Sequence, residues 1–347
     1  MTVKVGVIGL GFMGKTHLGF HLANKQARVV AICDQDAKKA AGDFGAAGGN
    51  LGGQKGIDLG KDVKGYRKPE DLIADPEVEL VDICLPTYLH AEYAIKALKA
   101  GKHVLSEKPL SVDLKEADAI VKAAKKAKGF FMCAQCIRFW PEYAWLKEAV
   151  EKKKFGKVHS AVFRRFANTP TYTWKGWILN PKLSGSALFD LHVHDTDYVR
   201  YVFGEPKAVF SVGNGGKATK GGIDHVVTSY IYKNPSLLVS AEGGWNADPS
   251  FPFCMRFTVV FEKATLDFDF AREGKTLMLH KAGAKEAEVI KVDNRTGWEA
   301  EIDYYLNCLD NGKAPKVMTP EAARNSVALV HAEMKSVQSG KVVPFKA

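Results

Sequence analysis

Between residues 3 and 134 the chain alternates apolar runs with amphipathic ones, and few architectures accept that order. VKVGVIG, RVVAICD, ELVDICLP, HVLSEKP and FFMCAQ read as strands. KTHLGFHLANK, PEDLIADPEV, AEYAIKALKAG and SVDLKEADAIVKAAKKAKG read as helices, the last with an acidic start and a glycine stop. Strands separated by helices run parallel, which gives a doubly wound α/β sheet. Beyond residue 150 the texture changes. KVHSAVFRRF, AVFSVGN, HVVTSYIY, SLLVSAEGGW, MRFTVVFE, ATLDFDF and TLMLHK follow one another with turn residues between them, as in an antiparallel sheet. Two helices, EAEIDYYLNCLDNG and PEAARNSVALVHAEMKSVQSG, close the chain.

The first strand leads into GLGFMGKT, residues 9–16, which fits two phosphate-binding loops at once. Gly9, Gly11 and Gly14 make G-x-G-x-x-G, with Phe12 and Met13 at the start of the following helix. Gly9, Gly14, Lys15 and Thr16 make the loop that holds a nucleoside triphosphate. Both aim backbone N–H groups and a helix dipole at an anion. They part further along, where a dinucleotide fold needs an acid about 20 residues on, at the end of the second strand. Asp34 in VVAICDQD stands there. The expectation is a dinucleotide-binding Rossmann domain over 1–132 and an α+β domain over 133–347. A carboxylate at Asp34 repels a 2′-phosphate, so NAD is expected over NADP; Lys38 and Lys39 leave NADP possible.

Bulk properties narrow the setting. A chain of 347 residues, 46% apolar and 25% charged, suits two soluble domains. No apolar run approaches the ~18 residues of a membrane span. The chain enters a strand at once, leaving no room for a signal peptide, so a cytoplasmic protein is expected. The net charge of +10 comes from lysines in mixed helical stretches, which reads as solvated surface and predicts neither nucleic-acid nor membrane partners. The six cysteines (33, 84, 133, 136, 254 and 308) read as reduced thiols, and Cys133-x-x-Cys136 lacks the second pair a metal site needs. GDFGAAGGNLGGQKGIDLG, 42–60, reads as a glycine-rich surface insertion or a flap near the cofactor's adenosine end.

Two stretches carry candidate chemistry. In HVLSEKPLS, Lys108 falls at the carboxyl end of a parallel strand, where such folds bind ligands. Its ammonium suits the holding of a substrate hydroxyl and the stabilising of charge as it changes. FDLHVHDTD, residues 189–197, packs five ionisable groups into nine positions. On a helix His192 and His194 point about 160° apart and do not chelate one ion. Asp190, His194 and Asp197 share a face. An acid–base pair of Asp190 and His194 is expected there rather than a metal site, with His192 structural.

With these pieces in order, the chain resembles the glucose–fructose oxidoreductase, inositol dehydrogenase and MocA-like family along essentially its whole length. VGVIGLGFMGKTH with His17, VAICD, ICLPTYLH, AGKHVLSEKPLS, CAQCIRFWPEY, SGSALFDLHVHDTD, GWEAEIDYYLNCL and TPEAARNSVAL carry the likeness. It implies hydride transfer between a nicotinamide cofactor and a secondary alcohol or ketone of a sugar, sugar derivative or cyclitol. Lys108, Asp190 and His194 correspond to the catalytic group. Leu85, Pro86 and His90 flank the cofactor, and Glu107 and Arg138 match positions near its nicotinamide end. TYTWKGWIL resembles a pocket-lining segment, making Trp174 and Trp177 candidate substrate contacts. The resemblance further implies an open second sheet that joins homodimers or homotetramers. An NAD-dependent glycosidase and a non-enzymatic regulator are the alternatives. Three departures bear on the substrate: His192 where a small residue is common, Leu85 where Thr or Ser is common, and a long glycine-rich 45–60.

Overall fold

The computed structural model describes residues 2–44, 57, 59–60 and 62–347, so the expectation for 42–60 falls mostly outside the described residues. The chain forms two compact units. One comprises Met1–Cys136, Tyr172–Trp177 and Gly297–Val327; the other comprises Ile137–Thr171, Ile178–Thr296 and Ala328–Ala347.

The first unit is built on a six-stranded sheet of β1 (Val3–Ile8), β2 (Ala27–Cys33), β3 (Lys64–Tyr66), β4 (Leu80–Ile83), β5 (His103–Glu107) and β6 (Phe131–Ala134). All pairs are parallel and the order is β3-β2-β1-β4-β5-β6. β1 and β4 are Val- and Leu-rich and buried on both faces, as helices on both sides require. Asp113 starts the helix Leu114–Lys126 by accepting from the N–H groups of Lys115 and Glu116. The helix Phe12–Ala23 begins at Gly11 with no side-chain cap. Its first N–H groups therefore face outward with no side chain of their own to satisfy them. The order of strands reverses between β1 and β4, and ligands of such sheets bind outside the carboxyl ends at that point.

The second unit holds a nine-stranded sheet: β7 (Val158–Asn168), β8 (Ala208–Asn214), β9 (His225–Ile231), β10 (Leu238–Ala247), β11 (Cys254–Phe261), β12 (Ala264–Asp269), β13 (Leu277–Lys281), β14 (Glu288–Val289) and β15 (Val343–Pro344). The order is β14-β13-β12-β11-β7-β10-β9-β8-β15. The sheet is antiparallel except that β7 and β10 run parallel. Several helical segments and the β8–β9 hairpin lie between those two strands in sequence, and the chain returns in its original direction. Burial alternates along β9, as expected with one face covered. The helical run from Leu188 to Phe203 covers that face at β7 and β10. The other face exposes Val162, Phe210, Val212, Val227 and Ile231. Among the described residues no helix is long and apolar enough to cross a membrane.

Candidate active site

The three glycines of the first loop play three separate steric roles. Gly9 has φ +90°, a conformation that suits glycine alone, and a β-carbon on it would meet the Cys84 carbonyl at 2.7 Å. A β-carbon on Gly14 would lie 1.7 Å from the carbonyl oxygen of Gly9, so strand and helix approach this closely only without a side chain. Gly11 has nothing within 4 Å, and its bareness leaves an approach to the helix N-terminus open. Turn, approach and packing are the division of labour in a dinucleotide loop. The triphosphate reading fares worse: Lys15 is buried, and the Thr16 hydroxyl donates back to the Phe12 carbonyl.

Asp34 is tied to this loop. Its Oδ2 accepts the Leu10 N–H at 2.8 Å and its Oδ1 accepts the Asp36 N–H at 2.9 Å. The carboxylate is thus fixed at the end of β2, with Lys39 Nζ 4.0 Å away. Leu85 and Pro86 follow β4 and are half-buried beside the glycine turn. His90 is buried, with Nε2 2.8 Å from the Leu85 carbonyl and Nδ1 2.8 Å from that of Pro109. It lies between the loop after β4 and the turn after β5, and burial pushes its imidazole below the usual range. In that turn the Lys108–Pro109 peptide is cis and Lys108 is half-buried. Glu107, just before it, is buried, and its Oε2 accepts the Lys108 N–H at 2.9 Å. Trp177 packs edge-on to Tyr88, at 6.3 Å, and Trp174 is exposed with Lys175 Nζ over its ring.

The second unit carries the other candidates. Leu188–His192 is a π turn that runs into the α-helix Val193–Phe203, where an unbroken α-helix was expected. Such turns recur at functional sites. From Phe189 to Asp197 every residue is buried except Asp190 and His194. The remaining charges of the block are used structurally. Asp195 takes the Arg165 guanidinium at 2.8 and 3.0 Å. Asp197, expected on the face of Asp190 and His194, instead forms a buried two-bonded pair with Arg138, both bonds 2.7 Å. The Arg138 guanidinium also lies over the Tyr201 ring at 4.4 Å. His192 is fully buried; burial, Arg165 and His225 push its pKa down to about 3, so it is neutral. Its Nε2 is 3.5 Å from Glu333, whose carboxyl accepts the Thr196 hydroxyl.

Comparison with known proteins gives the family. Residues 3–135 match the oxidoreductase family model with an NAD-binding Rossmann fold, and residues 143–267 match the GFO/IDH/MocA C-terminal domain. The chain belongs to the GFO/IDH/MocA oxidoreductase family. Its first domain is an NAD-binding Rossmann domain, and the protein is a nicotinamide-dependent dehydrogenase. Myo-inositol 2-dehydrogenase of Thermotoga maritima is 28% identical over 354 aligned residues, 99% of either chain. Levoglucosan dehydrogenase of Pseudarthrobacter phenanthrenivorans is 31% identical over 229, covering 60% of this chain and 53% of that one. A solved structure of levoglucosan dehydrogenase with NADH and levoglucosan has a TM-score of 0.83 at 21% identity over all of both chains, a likeness of fold.

Asp82, His21 and Glu301 were not singled out from the sequence, whereas His17 and Glu107 were. Asp82, the one charge in the strand LVDI, is fully buried, and His17, His21, Glu107 and Glu301 are buried in the same unit. A carboxylate inside an apolar parallel strand is the one signal that pointed to them.

Proposed function

We propose that the protein oxidises a secondary alcohol of a cyclic polyol or anhydro sugar with NAD, using Lys108, Asp190 and His194. The observation that carries this reading is that Asp190 and His194 alone are half-buried in an otherwise fully buried block from Phe189 to Asp197. Lys108, in the first unit, is a half-buried cation directly after β5. Bound NAD supplies the hydride acceptor. His194 takes the hydroxyl proton, and Asp190, four residues earlier, stabilises the imidazolium so formed. Lys108 holds the substrate oxygen while its charge changes. The bare Gly11 and the uncapped helix at Phe12 and Met13 would receive the pyrophosphate, with Leu85, Pro86 and Glu107 beside the nicotinamide half. Arg138 and His90 act through the elements they brace, the Asp197 helix and the Pro109 turn.

The Asp34 carboxylate, held by two backbone N–H groups, favours NAD over NADP, because a 2′-phosphate would face a fixed negative charge. Trp174 and Trp177 offer aromatic faces to the C–H patches of a ring. The apolar outer face of the second sheet, from Val162 to Ile231, supports assembly into a dimer or tetramer.

The test is to titrate the protein with NADH and NADPH, then to follow nicotinamide reduction with inositols, levoglucosan-type anhydro sugars and simple hexoses. Tighter NADH binding and turnover of a cyclic polyol support the reading. Tighter NADPH binding would overturn the role of Asp34. Cleavage of a glycoside without net NADH formation would move the chemistry to transient oxidation.

A further inference from the structure

Inside the first unit lies a chain of buried ionisable groups. Asp82 sits in β4 with both oxygens engaged: His17 Nδ1 lies 3.2 Å from Oδ1 and 3.0 Å from Oδ2, and His21 Nε2 lies 2.8 Å from Oδ2. The Cys84 thiol approaches Oδ1 at 3.5 Å. On its other edge, His17 Nε2 lies 3.2 Å from Glu107 Oε1, an ion-pair distance without hydrogen-bond alignment. Glu107 Oε2 in turn accepts the N–H of Lys108. The helix Gly297–Asp310 contributes Glu301, whose carboxyl oxygens are buried with no hydrogen-bond partner. His17, His21, Asp82 and Glu301 are wholly buried and Glu107 nearly so.

We infer that His17 is a positioning residue for Lys108: held as an imidazolium between Asp82 and Glu107, it fixes the carboxylate that anchors the Lys108 backbone. The inference rests on the proposed role of Lys108 in hydride transfer. A neutral imidazole has one N–H and can serve only one of the two carboxylates. Its second nitrogen would then turn a lone pair toward Glu107 at 3.2 Å, with no water to soften the repulsion. Protonation removes the conflict and places one cation between two anions.

The surrounding groups act in the same direction. Burial alone would push the His17 pKa down, but Asp82, with Cys84, holds it well above the usual range. Burial would raise Asp82, yet His17 and His21 hold it well below the carboxylate range. Burial, Glu107 and Asp82 push Glu301 well up, against the pull of His17. The bridge therefore carries a fixed charge pattern, and the Glu107–Lys108 turn inherits its rigidity. An active-site displacement of about 1 Å can cost on the order of 100-fold in rate.

The following measurements on the intact chain decide it. The ring ¹⁵N shifts of His17 should report both nitrogens protonated from pH 6 to 9; a ring that is neutral at pH 7 overturns the bridge. In Asp82→Asn, which keeps the shape and removes one anion, His17 should begin to titrate within that range. The same variant should lose turnover on the order of 100-fold, with substrate KM and NADH affinity changed by less than about threefold. Proportionate loss of NADH binding, or unchanged turnover, overturns the positioning role. If Asp82→Asn does not fold, His17→Gln supplies the same kinetic comparison and the wild-type shifts still decide the charge. Ligand atoms of His17, Asp82 and Cys84 lie within 4.8 Å of one another, so the purified protein is also assayed for metal. A stoichiometric transition metal overturns the proton bridge. Full activity in Lys108→Ala would instead sink the functional reading beneath it and leave the His17 shifts standing.

Discussion

Gly243 and His192 are fitted to each other: a β-carbon on Gly243 of β10 would stand 2.9 Å from the Nδ1 of His192 and 3.2 Å from its Cβ. The strand leaves room for the imidazole because it has no side chain there. This answers the question raised by an imidazole at a position where a small residue is common. The space for it is made at Gly243 in the sheet.

Gly243→Ala should therefore destabilise the protein by about 1–3 kcal/mol through overpacking. His192→Gly should recover part of that loss, since the remaining backbone contact is 3.4 Å. Urea unfolding of the two single variants and the double variant measures the coupling. Strict additivity would mean that the two residues do not share the space.

Lys108→Ala and His194→Ala should each lower turnover by roughly 10²–10⁴-fold, the range for losing a positioned acid, base or charge. NADH affinity should stay near wild type, because neither side chain holds the glycine loop. Fluorescence titration beside steady-state rates separates the two effects. Near-normal turnover in both variants would end the catalytic assignment.

Gly11→Ala and Gly14→Ala should fail in different ways. The first meets nothing within 4 Å and should fold with its melting temperature intact while NADH binding weakens. The second drives a methyl into the Gly9 carbonyl and should cost about 3 kcal/mol. Thermal melting with and without NADH distinguishes a lost ligand from a lost fold.

Glu333 gives a pH signature of definite sign. Burial raises its carboxyl from an ordinary 4.5 to about 8, against the pull of Tyr230 and Thr196. The folded state thus holds a proton that the unfolded chain releases above pH 4.5. Stability from this group is full below that point and falls as pH rises toward 8, by up to ~1.4 kcal/mol per unit. Glu333→Gln keeps an acceptor for Thr196 and has no proton to lose. Its stability relative to wild type should improve steadily from pH 5 to 8, read from urea midpoints. A constant difference would show that Glu333 is charged in the fold.

Much of this was legible beforehand, and the gaps have physical causes. Five of the six parallel strands announce themselves as apolar runs; β3, the three residues Lys-Gly-Tyr, carries no such run and is held by pairing to β2. The parallel pairing of β7 and β10 was missed because direction depends on what lies between the strands. Helical spacing picked out Asp190 and His194 but grouped Asp197 with them, where Arg138 takes it instead. The π turn leaves no mark in side-chain periodicity. The sequence groups the glycines as a set, and only their surroundings separate a turn, a bare approach and a close crossing.

A π turn is an α-helix carrying one residue too many, and Leu188–His192 has that form. The orientation of Asp190 relative to His194 is thus set by chain length as much as by residue type. Removing one residue from the turn would restore a regular helix and swing everything upstream by about 100° around its axis. Deletions, more than substitutions, are the changes to which this pair is exposed. A lineage that straightened the helix would keep the fold and every residue type of the site while losing their alignment.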